Sequence, residues 1–302
     1  MASDDRKIVV TGATGGLGSS VVEQLLRLTP ASELGVSVRQ PEKAQHLAAF
    51  GVRVRHGDFD KPKTLDEAFD GAERLLVIST KTVDNQARFV QHRNAIDSAR
   101  RGSVRHIYYT SIVQRAGSVF DLAPGHLDTE AYLAESGVDH TILRNGHYIE
   151  NLPMFLGASV TSGELALPPD GLTAWVSRSD LAEGIARLML GDGHKGETLL
   201  LTGPEGLDFR EIAEIASVIV GRRITRHVID GRAYLDMLVA GGIPKPIARS
   251  LVSGFASRAN GELAKLDPTL KEIIGRPLRT VAEVLPSLFA TNGLTAPWAE
   301  RS

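Results

Sequence analysis

Three glycines near the start of the chain have the spacing of a phosphate-binding loop. The apolar run Ile8-Val9-Val10 leads into Thr11-Gly12-Ala13-Thr14-Gly15-Gly16-Leu17-Gly18. In this spacing the first glycine permits a tight turn, the second lets a pyrophosphate approach the backbone, and the third lets the next helix pack closely. The N-terminus of that helix favours an anion. Residues 12–18 are therefore predicted to bind a dinucleotide, with a glycine-rich turn without ligand as the alternative.

Two basic residues follow the second apolar run, at the position where dinucleotide-binding proteins distinguish NADP from NAD. Arg39 comes directly after Val38, and Lys43 lies four residues further on. A site for NAD usually places an acid about 20 residues beyond the glycines, where it binds the ribose 2′-OH. A guanidinium instead suits the 2′-phosphate of NADP. The sequence therefore predicts NADP(H) as the cofactor; an exposed arginine in a loop is the alternative for Arg39.

Polar and aromatic side chains follow three further strand-like segments. Ligands of open α/β sheets bind beyond the carboxyl ends of the strands, so these side chains are candidates for cofactor contacts. Asp58 could accept a hydrogen bond from the adenine amine and Phe59 could cover the ring, although an ordinary Asp turn fits equally well. Four hydroxyls could meet the ribose or nicotinamide, or cap helices instead. They belong to Ser79, Thr80, Thr110 and Ser111.

Short apolar strands alternate with helical patterns through the first half of the chain. The predicted strands are Ile8–Val10, Leu34–Val38, Val52–Val54, Leu75–Ile78, Ile107–Tyr109 and Thr141–Leu143. This alternation predicts an α/β protein with a Rossmann-type, doubly wound parallel sheet. Since the alternation weakens after Asn145, residues 1–146 are predicted to form the NADP-binding domain. Residues 147–302 are predicted to form a smaller α/β substrate-binding part packed on it.

Helix caps and one aromatic residue stand out in this second part. Asp180 with Glu183 and Asp208 with Glu211 have the spacing of N-terminal caps, and each is followed by an apolar helical pattern. The polar C-terminal end contains Trp298, which suggests that it docks on the rest of the chain.

Composition excludes several kinds of site and partner. The 302 residues include no cysteine, which excludes disulfides, thiol catalysis and zinc–thiolate sites, and no metal-ligand cluster is predicted. The formal net charge is -2 without a run of basic residues, so nothing indicates nucleic acid or an anionic membrane as a partner. No signal-peptide pattern or membrane-length apolar stretch is evident, and we expect a cytoplasmic protein.

Several long stretches resemble those of NmrA-like atypical short-chain dehydrogenases, and within them the NADPH-dependent quinone oxidoreductases and triphenylmethane dye reductases. The resemblance extends to about Phe289. The matching stretches are TGATGGLG, TPASEL at 29–34, VRQPEKAQHLAAFGVRVRHGDFD at 38–60, QHRN at 91–94, YTS at 109–111, TEAYLAESGVDHTILRNGHYIEN at 129–151 and SRSDLAEGIA at 177–186.

The resemblance implies binding roles for the glycine loop and for Arg39, Asp58, Ser79, Thr110 and Ser111. It also implies that residues 145–151 bridge cofactor and substrate. Asn145 could hold the nicotinamide amide or be a strand-end turn residue. The predicted substrate contacts within this segment are Gly146, His147, Tyr148 and Asn151. One position departs from the quinone reductases, because Ala131 follows the Thr-Glu pair where they commonly carry lysine.

The acid–base pair of a standard short-chain dehydrogenase, Tyr-x-x-x-Lys, is absent from the sequence. The residues four positions after the five tyrosines are Ile112, Val113, Ser136, Leu152 and Leu238. Reduction of an ordinary ketone needs a proton donor. Hydride addition to a quinone gives a delocalised phenolate, and a dye cation needs no proton. The missing pair therefore favours a flat conjugated acceptor if the protein is an enzyme.

No catalytic residue can be assigned from the sequence, and His126, His147 and Tyr148 are the candidates. His126 is predicted to precede the helix that carries Thr129 and Glu130. A structural role there, in capping or packing, is favoured over a catalytic role. For Tyr148, the alternative to a catalytic role is an ordinary tyrosine that is half-buried at the surface.

Two functional hypotheses follow. The first is an NADPH-dependent reductase that transfers hydride to a quinone-like acceptor, with a small aromatic molecule as its partner. The second is a non-catalytic NADP(H) sensor that binds a partner protein, as the resemblance to NmrA itself implies. A homodimer is compatible with both.

Overall fold

The structure, a computed structural model, describes residues 7–102 and 104–292, so the expected docking of Trp298 lies outside the described residues. The strands are β1 (Ile8–Thr11), β2 (Leu34–Val38), β3 (Arg53–His56), β4 (Arg74–Val77), β5 (His106–Ile112), β6 (Asp139–Asn145), β7 (His147–Tyr148), β8 (Glu164–Leu167), β9 (Thr173–Val176), β10 (Glu197–Leu201), β11 (Glu205–Leu207) and β12 (Thr225–Val228). The helices are α1 (Gly16–Leu28), α2 (Gln45–Ala49), α3 (Pro62–Phe69), α4 (Asn85–Arg101), α5 (Ala123–Glu135), α6 (Leu152–Leu156), α7 (Ser159–Ser162), α8 (Arg178–Leu190), α9 (Phe209–Val220), α10 (Gly231–Ala240), α11 (Lys245–Ala259), α12 (Thr269–Ile274) and α13 (Val281–Asn292).

A seven-stranded sheet with the order β10-β6-β5-β4-β1-β2-β3 carries the first half of the chain. Every adjacent pair among β1 to β6 is parallel. The chain winds from β1 outward through β2 and β3, then returns to β4 on the other side and continues through β5 and β6. This arrangement confirms the predicted Rossmann-type sheet. Its strand order reverses between β1 and β4, and ligands of such sheets bind at that point beyond the carboxyl ends of the strands.

The chain divides into two compact units that do not follow one cut in the sequence. One unit comprises the residues up to 112, 124–145 and 179–200, and the other comprises 113–123, 146–178 and the residues from 201. One passage between the units falls after Asn145, beside the predicted boundary. Residues 179–200, however, belong with the sheet, because β10 pairs beside β6. The substrate-binding role of residues 147–302 stays a prediction.

The core of the first unit lies against the central strands. Val9, Leu75 and Val77 on the strands pack with Phe69 of α3 and Ile96 of α4, and each is at most 1% exposed. Burial of each such side chain contributes about 1.5–3 kcal/mol. The central strands β1 and β4 contain consecutive buried apolar residues because both faces of a parallel sheet are covered by helices.

The second unit has its own core and two small sheets. β9 pairs with β7 in parallel and with β11 in antiparallel fashion, while β8 and β12 form a parallel pair. Trp175, Phe209 and Phe255 are fully buried in this core. Asp208 and Glu211 form the predicted capping box at the start of α9. The cap predicted at Asp180 is wrong, because α8 begins at Arg178 and Asp180 lies within the first turn.

None of the helices in the described part of the chain is long and apolar enough to cross a membrane. The cytoplasmic location and the homodimer stay predictions.

Candidate functional site

The glycine loop joins β1 to α1 in the conformation that its spacing predicts. Gly12 has φ +62, a region that favours glycine, and its N–H donates to Ser37 O at 3.2 Å. A Cβ on Gly18 would lie 2.2 Å from the Gly12 carbonyl oxygen, so only glycine allows the helix to approach the loop this closely. Gly15 caps α1 with extended backbone angles, φ -94 and ψ 164. The first-turn N–H groups of α1 have no partner within the helix and are available to an anion.

Hydroxyl groups connect the carboxyl ends of three strands around this loop. Thr11 Oγ1 donates to Leu76 O at 3.0 Å and accepts from Ile78 N at 2.9 Å, which joins β1 to the end of β4. The Ser79 N–H donates to Thr110 Oγ1 at 2.9 Å, which joins the end of β4 to β5. The structure therefore brings the predicted residues Ser79 and Thr110 together at the point where the strand order reverses.

Two buried hydroxyls at this edge of the sheet lack hydrogen-bond partners among the described residues. They are Thr80 Oγ1, which was predicted as a cofactor contact, and Ser37 Oγ, which was not. Ser37 is 2% exposed and lies near the end of β2, two residues before Arg39. Buried polar groups nearly always have partners, so this edge fits a ligand rich in hydroxyl and phosphate oxygens, as a dinucleotide is.

The Ser111 hydroxyl is already engaged within the protein. It donates to Glu130 Oε1 at 2.5 Å, and the same carboxylate is bound by Arg144 through Nε at 3.1 Å and Nη2 at 2.5 Å. Ser111 is 1% exposed. Because its proton is committed to Glu130, Ser111 can contact a cofactor only as an acceptor. The predicted cofactor contact of Ser111 stays a prediction, limited to accepting a hydrogen bond.

The structure leaves open the predicted cofactor roles of Arg39 and Lys43 and of Asp58 and Phe59. Arg39 and Lys43 are exposed, with Lys43 in a short 3-10 turn. Asp58 forms a turn in which Oδ1 accepts from Asp60 N at 3.1 Å and the carbonyl accepts from Lys61 N at 2.8 Å. The Phe59 side chain is half-buried and packs on the core of the first unit. The turn proposed as the alternative is therefore formed, and the adenine contacts stay predictions.

A buried hydrogen-bond chain fixes the protonation of His126. Arg88 Nη1 lies 2.6 Å from His126 Nε2, and His126 Nδ1 lies 2.7 Å from the Tyr109 hydroxyl. A guanidinium can only donate, so Nε2 accepts and Nδ1 carries the proton. Burial and the neighbouring Arg88 hold the pKa of His126 well below its ordinary range. His126 lies within α5 rather than before it, and this environment favours a structural role.

A second buried histidine, His92, supports the loop after β4. The Thr80 N–H donates to His92 Nε2 at 3.0 Å, so His92 Nδ1 carries the proton and faces Thr129 Oγ1 at 3.0 Å. Burial lowers the pKa of His92 to about 3, so it is neutral. Arg88 Nε donates to Thr82 O at 2.8 Å. Two polar residues of α4 thus fix the segment that carries Ser79 and Thr80, and sequence reasoning missed both.

The segment after β6 enters the second unit through a close backbone contact. Gly146 N donates to Leu201 O at 2.9 Å, and a Cβ on Gly146 would lie 2.7 Å from Ala174 O. His147 pairs with Trp175 across β7 and β9, with their rings 6.0 Å apart edge to face. Burial and the Arg258 guanidinium hold the pKa of His147 well below its ordinary range, so the imidazole is neutral near pH 7.

Arg178 organises the remaining predicted substrate contacts. Its guanidinium carbon lies 5.1 Å from the centroid of the Tyr148 ring, and Nη2 donates to Asn151 Oδ1 at 2.9 Å. The Glu150 carboxylate accepts from Arg178 N. Tyr148 and Asn151 are therefore held by one arginine, whereas Asn145 is buried at the last position of β6.

The fold and the glycine loop define an α/β protein of the Rossmann dinucleotide-binding class. The model of the NmrA-like family matches residues 4–282, and the chain belongs to that family.

Named relatives cover nearly the whole chain. Quinone oxidoreductase 2 of Escherichia coli is 36% identical over 286 residues, which cover 94% of this chain and 99% of that protein. The NADPH-dependent quinone oxidoreductase of E. coli, solved with NADPH, superposes with a TM-score of 0.87 over 93% of this chain and 99% of the other at 36% identity. The triphenylmethane reductase of Citrobacter sp., solved with NADP(H), is 34% identical with a TM-score of 0.89, over 93% of this chain and all of the other.

Proposed function

We propose that the protein is an NADPH-dependent reductase that transfers hydride to a quinone-like or other flat conjugated acceptor. The observation that carries the cofactor is the glycine loop, in which Gly12 and Gly18 allow a tight turn into α1 and no side chain caps the N-terminus of that helix. Gly12 to Gly18 would hold the pyrophosphate, and Ser37, Ser79, Thr80 and Thr110 would contact the sugar and nicotinamide. NADPH supplies the hydride. The quinone and dye reductases among the relatives support the same activity.

The polar residues available for acid catalysis support a conjugated acceptor. Tyr109 is fully buried, burial raises its pKa, and its hydroxyl contacts His126 within the protein. His126 and His147 are both neutral near pH 7 because their pKa values are depressed. None of these groups is a ready proton donor. An acceptor whose reduced form is a delocalised anion does not need one at the moment of hydride transfer.

The experiment that tests the proposal is NADPH oxidation with menadione as acceptor. We expect loss of the reduced-nicotinamide absorbance with saturation in both substrates. Tight NADPH binding without turnover of menadione, or of any other conjugated acceptor, would contradict the reductase. It would favour the non-catalytic NADP(H) sensor, which shares the cofactor loop.

The Arg39→Ala substitution is expected to weaken NADPH binding roughly 10- to 150-fold and to leave NADH binding unchanged. A charge-assisted hydrogen bond to the 2′-phosphate contributes about 1.5–3 kcal/mol, which corresponds to that range. Calorimetric titration of both cofactors measures the effect. The matched control is Arg27→Ala, which removes an exposed arginine in the last turn of α1, at the opposite end of that helix from the glycine loop. An unchanged preference for NADPH in Arg39→Ala would exclude this role.

A further inference from the structure

A buried arginine in the second unit is surrounded by aromatic rings. Arg258 lies on α11 and is 2% exposed, and its Nε has no hydrogen-bond partner among the described residues. The guanidinium carbon lies 5.3–6.0 Å from four ring centroids. The four rings belong to Phe155, Trp175, Phe209 and Phe255.

The nearby acid does not form an ion pair with this guanidinium. Asp170 influences the pKa of Arg258, but Asp170 Oδ1 accepts from Arg226 Nη2 at 3.0 Å and Oδ2 accepts from Phe209 N at 2.7 Å. Burial lowers the pKa of Arg258 to about 10, so the side chain remains a cation at neutral pH. Arg258 forms no ion pair with the described residues, and a buried charge of this kind destabilises the folded state. Contacts with aromatic faces offset only part of that cost. Arg258 is therefore better explained by binding than by stability.

Half-buried rings lie beside the guanidinium. A Cβ on Gly254 would lie 3.2 Å from Arg258 Nη1 and 3.5 Å from the Phe120 ring, so a side chain at this position would crowd both groups. The Phe120 and His147 rings are 6.2 Å apart, and both side chains are half-buried. Since His147 is neutral near pH 7, Arg258 is the cation of this aromatic cluster.

We propose that Arg258 binds a negatively polarised oxygen of the acceptor, either a quinone carbonyl or an acidic substituent, while Phe120 and His147 contact the flat ring. This inference rests on the proposed reductase function and narrows its substrate class. A guanidinium attracts oxygen-bearing neutral or anionic aromatics and repels cationic ones. The protein is thereby a reductase of quinone-type acceptors and a poor binder of cationic dyes.

The test compares binding of three flat aromatics to the protein with NADP⁺ present, so that no turnover occurs. The probes are lawsone, a hydroxynaphthoquinone that is an anion at neutral pH, the neutral quinone menadione, and the cationic dye crystal violet. Wild-type protein is expected to bind lawsone most tightly. The Arg258→Met variant should bind lawsone roughly 10- to 150-fold more weakly, the range for loss of one charge-assisted hydrogen bond. Its affinity for crystal violet should be unchanged or higher.

Controls separate binding from folding. Arg258→Met should keep its NADPH affinity, and its melting temperature should stay or rise because an unpaired buried charge is removed. Arg258→Lys keeps the charge without the planar fork and should lose less lawsone affinity than the methionine variant. Arg249→Met removes an exposed arginine of the same helix and should change nothing.

Two results would overturn the inference. One is wild-type lawsone affinity in folded Arg258→Met. The other is a parallel loss of all three probes together with a lower melting temperature, which would make Arg258 structural. These binding measurements do not depend on turnover. A wild-type protein that binds lawsone through Arg258 but oxidises no NADPH would contradict the reductase and leave the anion site standing.

Discussion

The Gly15→Val substitution is expected to abolish measurable NADPH binding in a protein that remains folded. Gly15 has extended backbone angles that valine adopts, and a Cβ there would lie 3.3 Å from the Gly12 carbonyl oxygen, which a small adjustment relieves. The branched side chain would instead occupy the space that a pyrophosphate needs. Loss of two charge-assisted hydrogen bonds corresponds to roughly 10²–10⁴-fold weaker binding. Calorimetry measures binding, and thermal unfolding with circular dichroism measures folding.

Two other glycines provide the matched controls. Gly18→Val would place a Cβ 2.2 Å from backbone, so it should destabilise the protein as well as prevent binding. Gly193→Val adds a side chain in an exposed loop where a Cβ meets nothing within 4 Å, and it should leave both properties unchanged. For Gly15→Val itself we expect a stability loss of about 1 kcal/mol, the usual effect of an unfavourable N-cap residue. NADPH affinity close to wild type in folded Gly15→Val would mean that the loop is only a turn.

The sheet could be predicted from the sequence because its signals are local. Five of the first six strands contain a short apolar run between helical patterns, and Leu34–Val38 was predicted at its observed bounds. The exception is β3, whose residues Arg53–His56 include one apolar side chain. The spacing of Gly12, Gly15 and Gly18 is also local, since the contact that excludes a Cβ at Gly18 is with Gly12 itself. Patterns confined to a few residues are therefore sufficient for the cofactor loop.

The return of the chain to the sheet could not be predicted in the same way. β10 pairs with β6 about fifty residues earlier in the sequence, and nothing in either segment specifies that partner. The Asp180 cap failed for a related reason. A capping pattern is equally compatible with a helix that begins two residues earlier, and the acid then lies in the first turn, where the helix dipole also favours it.

The polar residues that support the site were missed because burial depends on tertiary packing. Arg88, His92, Ile96 and Ala99 share one face of α4, and all four are buried. A sequence pattern assigns arginine and histidine at the start of a helix to solvent, since charged residues are seldom buried without partners. Their partners are residues of α5 and the loop after β4. Arg258 escaped notice for the same reason, because its aromatic neighbours come from four separate segments.

The protein is expected to reduce menadione at least about 10²-fold faster than a simple ketone such as cyclohexanone, measured as kcat/KM with NADPH. Positioned general acid catalysis contributes roughly 10²–10⁴-fold to reactions that form an alkoxide. The sequence has no Tyr-x-x-x-Lys pair to supply it. A quinone accepts hydride to give a delocalised anion, so the same deficit does not slow its reduction.

The pH profile of menadione reduction distinguishes this explanation from a proton donor that has escaped notice. His126 and His147 have pKa values held well below the ordinary 6.5, so both are already neutral throughout pH 6–8 and do not titrate there. A group with a depressed pKa loses its proton below that window, and kcat should therefore be flat across it. Fast cyclohexanone reduction with a rate that falls as pH rises through this range would identify a titrating donor. The matched variants His126→Gln and His147→Gln would then locate it. If neither variant removed that pH dependence, the donor would have to be another group, with Tyr148 the next candidate.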